Sequence, residues 1–313
     1  MENKNFDSCV SFFLQNGAFM GRFVRLDKVL SQILKNHKYP LNVSNAVAEV
    51  TTLAALSASM LKFDGLFTLQ LQGNGPVSLL VADVTKDGKI RASAKFDEQK
   101  LNQAKTLRKT EDIVEETPHL IGGGYMALTV DELNGTTPYQ GIVDLKGKNL
   151  SEIALRYFQN SEQIDTYLKL FIKKNENNDE SFLSAGIILQ KMPLKGGKNA
   201  DFDEERINIA WEDAGAFINS LKPDEVFDDT LSSEQILHRL FHSNNLQISA
   251  QRDFKFGCRC SKEKLKNTLC SFDQKDLEDM FDEKGCIEAV CNFCGQKYTF
   301  TRHELKLKEK YLQ

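Results

Sequence analysis

Two apolar patterns define the first predicted elements of the chain. Residues 66–72 alternate strictly, with phenylalanine and leucine on one side and threonine and glutamine on the other. This period of two predicts a β-strand with one buried face. Residues 44–62 instead carry an alanine-rich apolar series that begins at Ser44, a residue type that favours helix N-caps. They predict a helix.

Turn signals divide further strands into pairs. An Asp-Gly turn and an Asn-Gly turn each separate two apolar runs, which predict strands at 77–84 and 89–96 and at 125–131 and 139–145. A helix over 151–163 and a strand over 166–172 follow. Strands and helices occur in runs without the strand-helix alternation of a parallel sheet, so residues 1–192 predict one α+β core domain.

The segment 193–256 carries an apolar stripe at helical spacing. The stripe consists of Ile207, Ala210, Trp211, Ala214, Phe217, Ile218 and Leu221. Pro223 ends this helix. A capping box of Ser232 and Gln235 begins a second amphipathic helix. We interpret the segment as an amphipathic helical linker whose stripe packs in a core and whose acidic opposite side faces water.

Composition and charge narrow the function classes. The chain has 313 residues with a net charge of −4, divided as 0, −5 and +1 over 1–192, 193–256 and 257–313. No segment forms the basic patch of a nucleic-acid-binding protein. No apolar run reaches the roughly 20 residues of a membrane span, and the N-terminus lacks the pattern of a signal peptide. We therefore expect a cytoplasmic protein with no nucleic-acid or membrane partner.

Six of the seven cysteines fall in the last 56 residues. Cys258 and Cys260 are two residues apart, and in an extended segment such neighbours point to one face. Cys291 and Cys294 are separated by two residues and followed by glycine, which is typical of a metal knuckle. Four soft thiolates in tetrahedral array select zinc over magnesium or calcium. Residues 257–313 therefore predict a four-cysteine module that holds one Zn²⁺ in the reduced state.

Other ligand sets stay open from spacing alone. His303 could replace one cysteine, and Cys270 or Cys286 could join the site, although none of them belongs to a paired motif. Four buried structural cysteines without a metal are the remaining alternative. Cys9 is far away in the sequence, and we expect it to be a small buried apolar residue.

Motifs along the whole chain add to the cysteine pairs. They are Gln70–Pro76 (QLQGNGP), Tyr139–Val143 (YQGIV), Tyr157–Gln163 (YFQNSEQ) and Leu189–Pro193 (LQKMP). Together with the Cys-x-Cys and Cys-x-x-Cys pairs, they resemble the redox-regulated heat-shock holdase chaperones, the 33 kDa chaperonin or HslO-type family. The sequence Ser184-Ala185-Gly186 departs from that family's pattern, in which a second glycine is usual.

This resemblance implies a stress-response chaperone and no enzyme. The reduced, zinc-bound form would be inactive, and oxidation would form Cys258–Cys260 and Cys291–Cys294 disulfides, release zinc and unfold the C-terminal region. The exposed apolar surface would bind unfolding client proteins without ATP, and the oxidised protein would form a homodimer. The resulting candidates for client binding are Ile207, Trp211, Phe217, Ile218 and Leu221.

Two other function classes compete with this interpretation. The first is a zinc-ribbon module that binds nucleic acid or protein, but a net charge of +1 over 257–313 supplies no basic stripe. The second is a thiol oxidoreductase that uses Cys291 and Cys294, whereas such a pair favours a helix N-terminus in a βαβ setting. The run Gly122–Gly124 lacks the residues of a phosphate loop and predicts a tight turn.

Overall fold

The chain divides into two compact units, Met1–Phe256 and Gly257–Gln313. The second unit spans the predicted zinc module, whereas residues 204–256 belong to the first unit together with the predicted core domain. The structure, a computed structural model, describes residues 6–108, 116–174, 182–193 and 204–305.

Two sheets organise the first unit. Their strands are β1 (Ser8–Leu14), β2 (Phe19–Leu26), β3 (Leu66–Gly73), β4 (Val77–Thr85), β5 (Lys89–Phe96), β6 (Gly124–Asp131), β7 (Tyr139–Asp144), β8 (Thr166–Lys174), β9 (Phe182–Lys191), β10 (Gln247–Asp253) and β11 (Lys255–Phe256). The first sheet has the order β10-β1-β2-β9-β8 and is antiparallel throughout. The second has the order β11-β5-β4-β3-β6-β7, in which only the short β11–β5 pair is parallel.

Helices connect and cover these sheets. They are α1 (Lys28–Lys35), α2 (Leu41–Met60), α3 (Glu98–Arg108), α4 (Thr117–Ile121), α5 (Leu150–Tyr157), α6 (Glu204–Ser220), α7 (Pro223–Val226) and α8 (Ser233–Phe241). A π-helical turn, Phe158–Glu162, continues α5.

Helix α2 forms the centre of the larger core. Its residues are buried over most of its length and on nearly all sides, because it contacts strands of both sheets. A helix that is apolar all round is stable only when it is enclosed in this way. Leu53, Leu56 and their neighbours on α2 pack with residues of β3 and β4 from the second sheet and with Ile188 from the first. The two sheets therefore share one core.

A second core covers the first sheet with the 204–241 helices. Ile207, Trp211 and Ile218 of α6 cluster with Phe12, Phe19 and other apolar residues of β1, β2 and β9. Ile236, Leu237 and Phe241 of α8 complete this core. The amphipathic stripe predicted from sequence is thus buried against the core domain in this structure.

Most predicted elements are confirmed, with differences at their ends. The strand pairs around both turns are antiparallel neighbours, and the capping box of Ser232 and Gln235 begins α8. Ser44 is not the N-cap of α2, because the helix begins at Leu41 and Pro40 is its N-cap. Helical hydrogen bonding of the α type ends at Tyr157, where the π-helical turn begins. The 193–256 segment also contains β10 and β11, which have no counterpart among the predicted elements.

The second unit is small. It contains α9 (Lys262–Leu269), α10 (Gln274–Asp279) and an antiparallel hairpin of β12 (Cys286–Val290) and β13 (Lys297–Thr301). Over its described residues, 257–305, the buried apolar cluster consists of Leu269, Leu277, Ile287, Phe300 and Leu305. So few apolar residues supply little stability to a separate unit of this size. Across the described residues of both units, no helix is long and apolar enough to cross a bilayer.

Candidate metal centre

The first cysteine pair lies on an extended segment before α9. Cys258 and Cys260 are both half-buried, and Ser261 directly follows with extended backbone angles. The Ser261 hydroxyl accepts a hydrogen bond from the Lys264 N–H and caps α9. This cap fixes where the extended segment ends, so that both thiols precede the helix and face one side.

The second pair lies on the turn between β12 and β13. The N–H of Gly295 donates to the carbonyl of Cys291 at 2.9 Å, and the N–H of Cys291 donates to the Gln296 carbonyl at 2.9 Å. Gly295 has a φ of 68°, a left-handed conformation that glycine adopts without strain. The turn brings Cys291 and Cys294 to one side, as the metal-knuckle prediction requires.

The structure brings all four sulfurs together. The Sγ atoms of Cys258, Cys260, Cys291 and Cys294 lie within 4.8 Å of one another. The distance from Cys258 Sγ to Cys291 Sγ is 3.6 Å, and that from Cys260 Sγ to Cys294 Sγ is 3.4 Å. Tetrahedral zinc with bonds of about 2.3 Å to sulfur places its ligands about 3.8 Å apart. The donor type, number and spacing therefore fit zinc.

Electrostatics of the cluster also favours a cation. Burial and the neighbouring thiols raise the pKa of Cys294, and burial raises that of Cys260. Burial also opposes ionisation of Cys258, but hydrogen bonds from the Cys260 backbone and the other thiols outweigh it and lower its pKa to about 7. Four adjacent thiols thus resist becoming four thiolates together, because like charges repel. A divalent cation between them would remove that penalty.

A phenol lies at the edge of the cluster. The distance from Tyr298 Oη to Cys260 Sγ is 3.2 Å, and this contact is the main cause that raises the Tyr298 pKa to about 12. Tyr298 therefore keeps its proton and can donate it to a thiolate. The spacing of the cysteine pairs gave no indication of this contact between a tyrosine and sulfur.

The alternative ligands do not join the cluster. Among the described residues, neither His303, Cys270 nor Cys286 belongs to the group whose ligand atoms converge. Cys270 is exposed, and Cys286 lies on β12. Cys9 is completely buried in the first unit, where burial raises its pKa to about 11, as expected of a small apolar residue.

The candidate client-binding residues are mostly covered in this structure. Ile207, Trp211, Ile218 and Leu221 are buried, and Phe217 is half-buried. The Trp211 ring lies 5.1 Å from that of Phe19 and 4.6 Å from that of Tyr167, measured between centroids. These side chains contact the first sheet and form part of a core, so they offer no client surface while α6 stays docked.

Two cationic side chains of the core domain donate hydrogen bonds to the segment that contains α6 to α8. Neither contact was predicted from the sequence. Arg25 on β2 is 0% exposed and donates to the carbonyls of Leu231 and Asp228, each at 2.7 Å. Lys169 on β8 donates to the carbonyls of Asn219 and Leu221, at 2.7 and 2.9 Å, at the end of α6. In the sequence, each is a charged residue at an inward position of an apolar strand, and this could have marked it as unusual. The backbone carbonyls that accept its hydrogen bonds are distant in sequence, so the contacts themselves could not be predicted.

Comparison with known proteins identifies the relatives of this chain. The profile of the family described as "Hsp33 protein" matches residues 7–301. The chain belongs to the Hsp33 family. The 33 kDa chaperonin of Aliivibrio salmonicida is 32% identical over 289 residues, which cover 92% of this chain and 90% of that protein. The 33 kDa chaperonin of Escherichia coli is 30% identical over 299 residues, which cover 96% of this chain and 94% of that protein.

A solved structure extends the similarity to the fold. The crystal structure of the 33 kDa chaperonin (heat shock protein 33 homolog) from Thermotoga maritima matches with a TM-score of 0.74 and 23% identity, over 96% of each chain. The α+β fold of this Hsp33 chain and the resemblance stated from sequence are therefore confirmed. The names of the relatives place the family among chaperones rather than in an enzyme class.

Proposed function

We propose that this Hsp33 chain is a redox-regulated, ATP-independent holdase chaperone whose switch is the four-cysteine site. The observation that carries the proposal is the convergence of four thiols in a small unit, next in sequence to a segment whose apolar stripe is covered. In the reduced state Cys258, Cys260, Cys291 and Cys294 hold one zinc ion. Bound zinc neutralises the thiolates and ties the extended segment to the β12–β13 turn.

The energetics of the second unit supports its use as a switch. Structural zinc contributes about 10–16 kcal/mol to small metal-binding domains, whereas a whole domain is stable by about 5–15 kcal/mol. The small apolar cluster formed by the described residues of this unit offers no comparable substitute. A unit that loses zinc is therefore expected to unfold.

Oxidation removes the ligands from the metal. Cys258 and Cys260 lose two electrons to an oxidant and form one disulfide, and Cys291 with Cys294 forms the other, as the family resemblance implies. A disulfide sulfur no longer carries the thiolate charge that binds zinc, so the ion leaves. Because zinc coordination requires reduced thiols, the proposal also implies a cytoplasmic location.

Release of the neighbouring segment supplies the client surface. Once α6 leaves the first sheet, the stripe of Ile207, Trp211, Phe217, Ile218 and Leu221 and the sheet beneath it are both exposed. Such a surface binds unfolding proteins and can join two oxidised chains as a homodimer. The acidic residues on the other side of α6 keep the opened chain in solution.

Metal analysis combined with an aggregation assay tests this function. We expect one zinc per reduced chain and no suppression of light scattering from a thermally unfolding test client. After peroxide treatment at elevated temperature, zinc should be released and the scattering suppressed. The double variant Cys258→Ser with Cys291→Ser should lose zinc, and the matched control Cys270→Ser should keep it. Reduced protein without zinc, or equal suppression before and after oxidation, would refute the proposal.

The domain boundary is a second element of the proposal. We expect residues 1–192 to fold without the linker, because the core around α2 lies almost entirely within them. Truncation at residue 192 exposes the apolar face that α6 covers. The thermal unfolding of residues 1–192, measured without detergent, is therefore compared with that of residues 1–256. Absence of a cooperative transition in the shorter chain would contradict the boundary.

A further inference from the structure

A cavity of about 270 Å³ opens in the first unit near the end of α2. It lies where residues of both sheets meet the π-helical turn, and apolar side chains form most of its wall. They include Met20, Met60, Leu61, Phe158 and Met192. Ligand pockets usually measure about 300–1,000 Å³, so this cavity suits a molecule smaller than a typical drug.

Two sequence motifs that the redox switch does not use converge on this cavity. The YQGIV motif contributes Tyr139, and the YFQNSEQ motif contributes Tyr157, Phe158 and Glu162. A Cβ at Gly141 would lie 2.5 Å from the Tyr157 ring, so glycine leaves the space that this ring fills. Residues of both motifs therefore form part of the cavity wall.

The π-helical turn directs a carboxylate to two phenols. Glu162 Oε1 accepts a hydrogen bond from Tyr157 at 2.8 Å and another from Tyr139 at 3.1 Å. The residue after the turn, Gln163, has a backbone φ of 55°, which is uncommon for a residue other than glycine. Single π-helical turns occur frequently at functional sites. Here the turn produces an anionic group of fixed orientation between aromatic rings.

Among the described residues Glu162 forms no ion pair, although Lys191 also lines the cavity. Burial and the adjacent Glu162 raise the pKa of Tyr157, so the phenol stays a neutral donor. The ammonium of Lys191 donates to Asn208 at 2.7 Å. The Ser57 hydroxyl, on a residue that is only 3% exposed, has no hydrogen-bond partner among the described residues. A polar atom of a ligand could satisfy this buried hydroxyl.

We propose that this cavity binds a small amphiphilic amine, with the apolar body among the methionines and the ammonium group on the Glu162 carboxylate. The rings of Tyr139, Tyr157 and Phe158 border the same end, and aromatic faces attract ammonium groups. Tyr139 is 58% exposed and Leu61 is 46% exposed, so the cavity is open to solvent on this side. The site involves no residue of the metal centre.

Three ligands of similar size and different charge test the proposal on the full-length reduced protein. They are phenethylammonium, 2-phenylethanol and 3-phenylpropionate, each titrated by calorimetry and by saturation-transfer NMR. We expect saturable binding of the ammonium. A charge-assisted hydrogen bond is worth about 1.5–3 kcal/mol, so the alcohol should bind roughly tenfold or more weakly. The carboxylate should not bind.

Variants locate the binding. Glu162→Gln keeps an oxygen for both phenols and removes only the charge, so ammonium affinity should fall at least about tenfold. Glu98→Gln, at an exposed glutamate of α3 outside the cavity, is the matched control and should leave affinity unchanged. Should Glu162→Gln unfold, Tyr139→Phe is the second variant. It removes, at an exposed position, one of the two phenols that orient the Glu162 carboxylate, and it should weaken binding without loss of fold. Equal binding of the three ligands, no saturable binding of the ammonium, or binding insensitive to these variants would overturn the proposal.

Discussion

Replacement of Gly215 by alanine tests whether close packing holds α6 on the first sheet. Gly215 faces the Tyr167 ring, and a Cβ built on it would lie 2.2, 2.6 and 2.6 Å from three ring atoms. The ring cannot move away freely, because its centroid lies 4.6 Å from that of the tilted Trp211 ring and its hydroxyl donates to Glu212 at 3.4 Å. Alanine at this position therefore requires α6 or the ring to move.

Two opposing terms set the size of the effect. Alanine is favoured over glycine inside a helix by about 1 kcal/mol, whereas overpacking of a well-packed contact costs about 1–3 kcal/mol. If α6 stays helical after release, the propensity term cancels and docking weakens by the full overpacking term, about 5- to 150-fold. If α6 unfolds on release, the gain in propensity offsets part of the loss and docking weakens by about 0–2 kcal/mol.

The single tryptophan provides the assay. We expect the reduced, zinc-bound Gly215→Ala protein to show red-shifted Trp211 emission and faster amide hydrogen exchange in α6 than the wild type. Ala216→Gly, at an exposed position of the same helix, loses propensity without a clash and serves as the control. Tyr167→Leu combined with Gly215→Ala should restore docking. Higher stability than the wild type, or slower amide exchange in α6, would refute the steric reasoning.

Three other contacts and sites give predictions of their own. Arg25→Met removes two hydrogen bonds to backbone carbonyls, so we expect docking of the 227–231 loop to weaken by about 2–4 kcal/mol and amide exchange at Leu231 to accelerate. Chelation of zinc from reduced protein should unfold the second unit and shift Trp211 emission to the red; a spectrum and a circular dichroism signal unaffected by chelation would contradict this. Burial raises the pKa of Glu49 to about 7 from its usual 4.5, so folding favours its protonated form and the free energy of unfolding should fall as pH rises from about 4.5 to about 7. Glu49→Gln should flatten that pH dependence of the urea midpoint, and an unchanged slope would count against it.

Sequence patterns predicted the fold where local signals and burial agree. The alternation in β3 and the turns after β4 and β6 were sufficient, because each strand has one buried face and a turn that sets its register. Strand β10 could not be found in this way, since its side chains are largely polar and exposed and only its backbone pairs with β1. Edge strands of this type carry no hydrophobic period.

The same difference between local patterns and distant contacts applies to the candidate sites. The cysteines could be predicted because metal ligation imposes a short spacing within each pair, and the structure adds only that the two pairs meet. Arg25 and the Leu231 carbonyl are 206 residues apart. A contact with a backbone carbonyl leaves no requirement for a particular side chain at the accepting residue. Sequence spacing therefore cannot indicate such a contact.

The edge position of β10 determines how this strand resists mechanical separation. A strand pulled from its C-terminal end breaks its ladder in series, here from the Ser8–Asp253 pair towards Phe13–Gln247. The second pair met contains Arg252, whose guanidinium also donates to the Thr85 carbonyl at 2.7 Å and to the Lys86 carbonyl at 3.1 Å. The greatest resistance is thus concentrated near the start of the ladder. Once Arg252 yields, the remaining pairs are held by backbone hydrogen bonds and by the packing of Ile248 against the second core. The strand is therefore expected to separate in one main step.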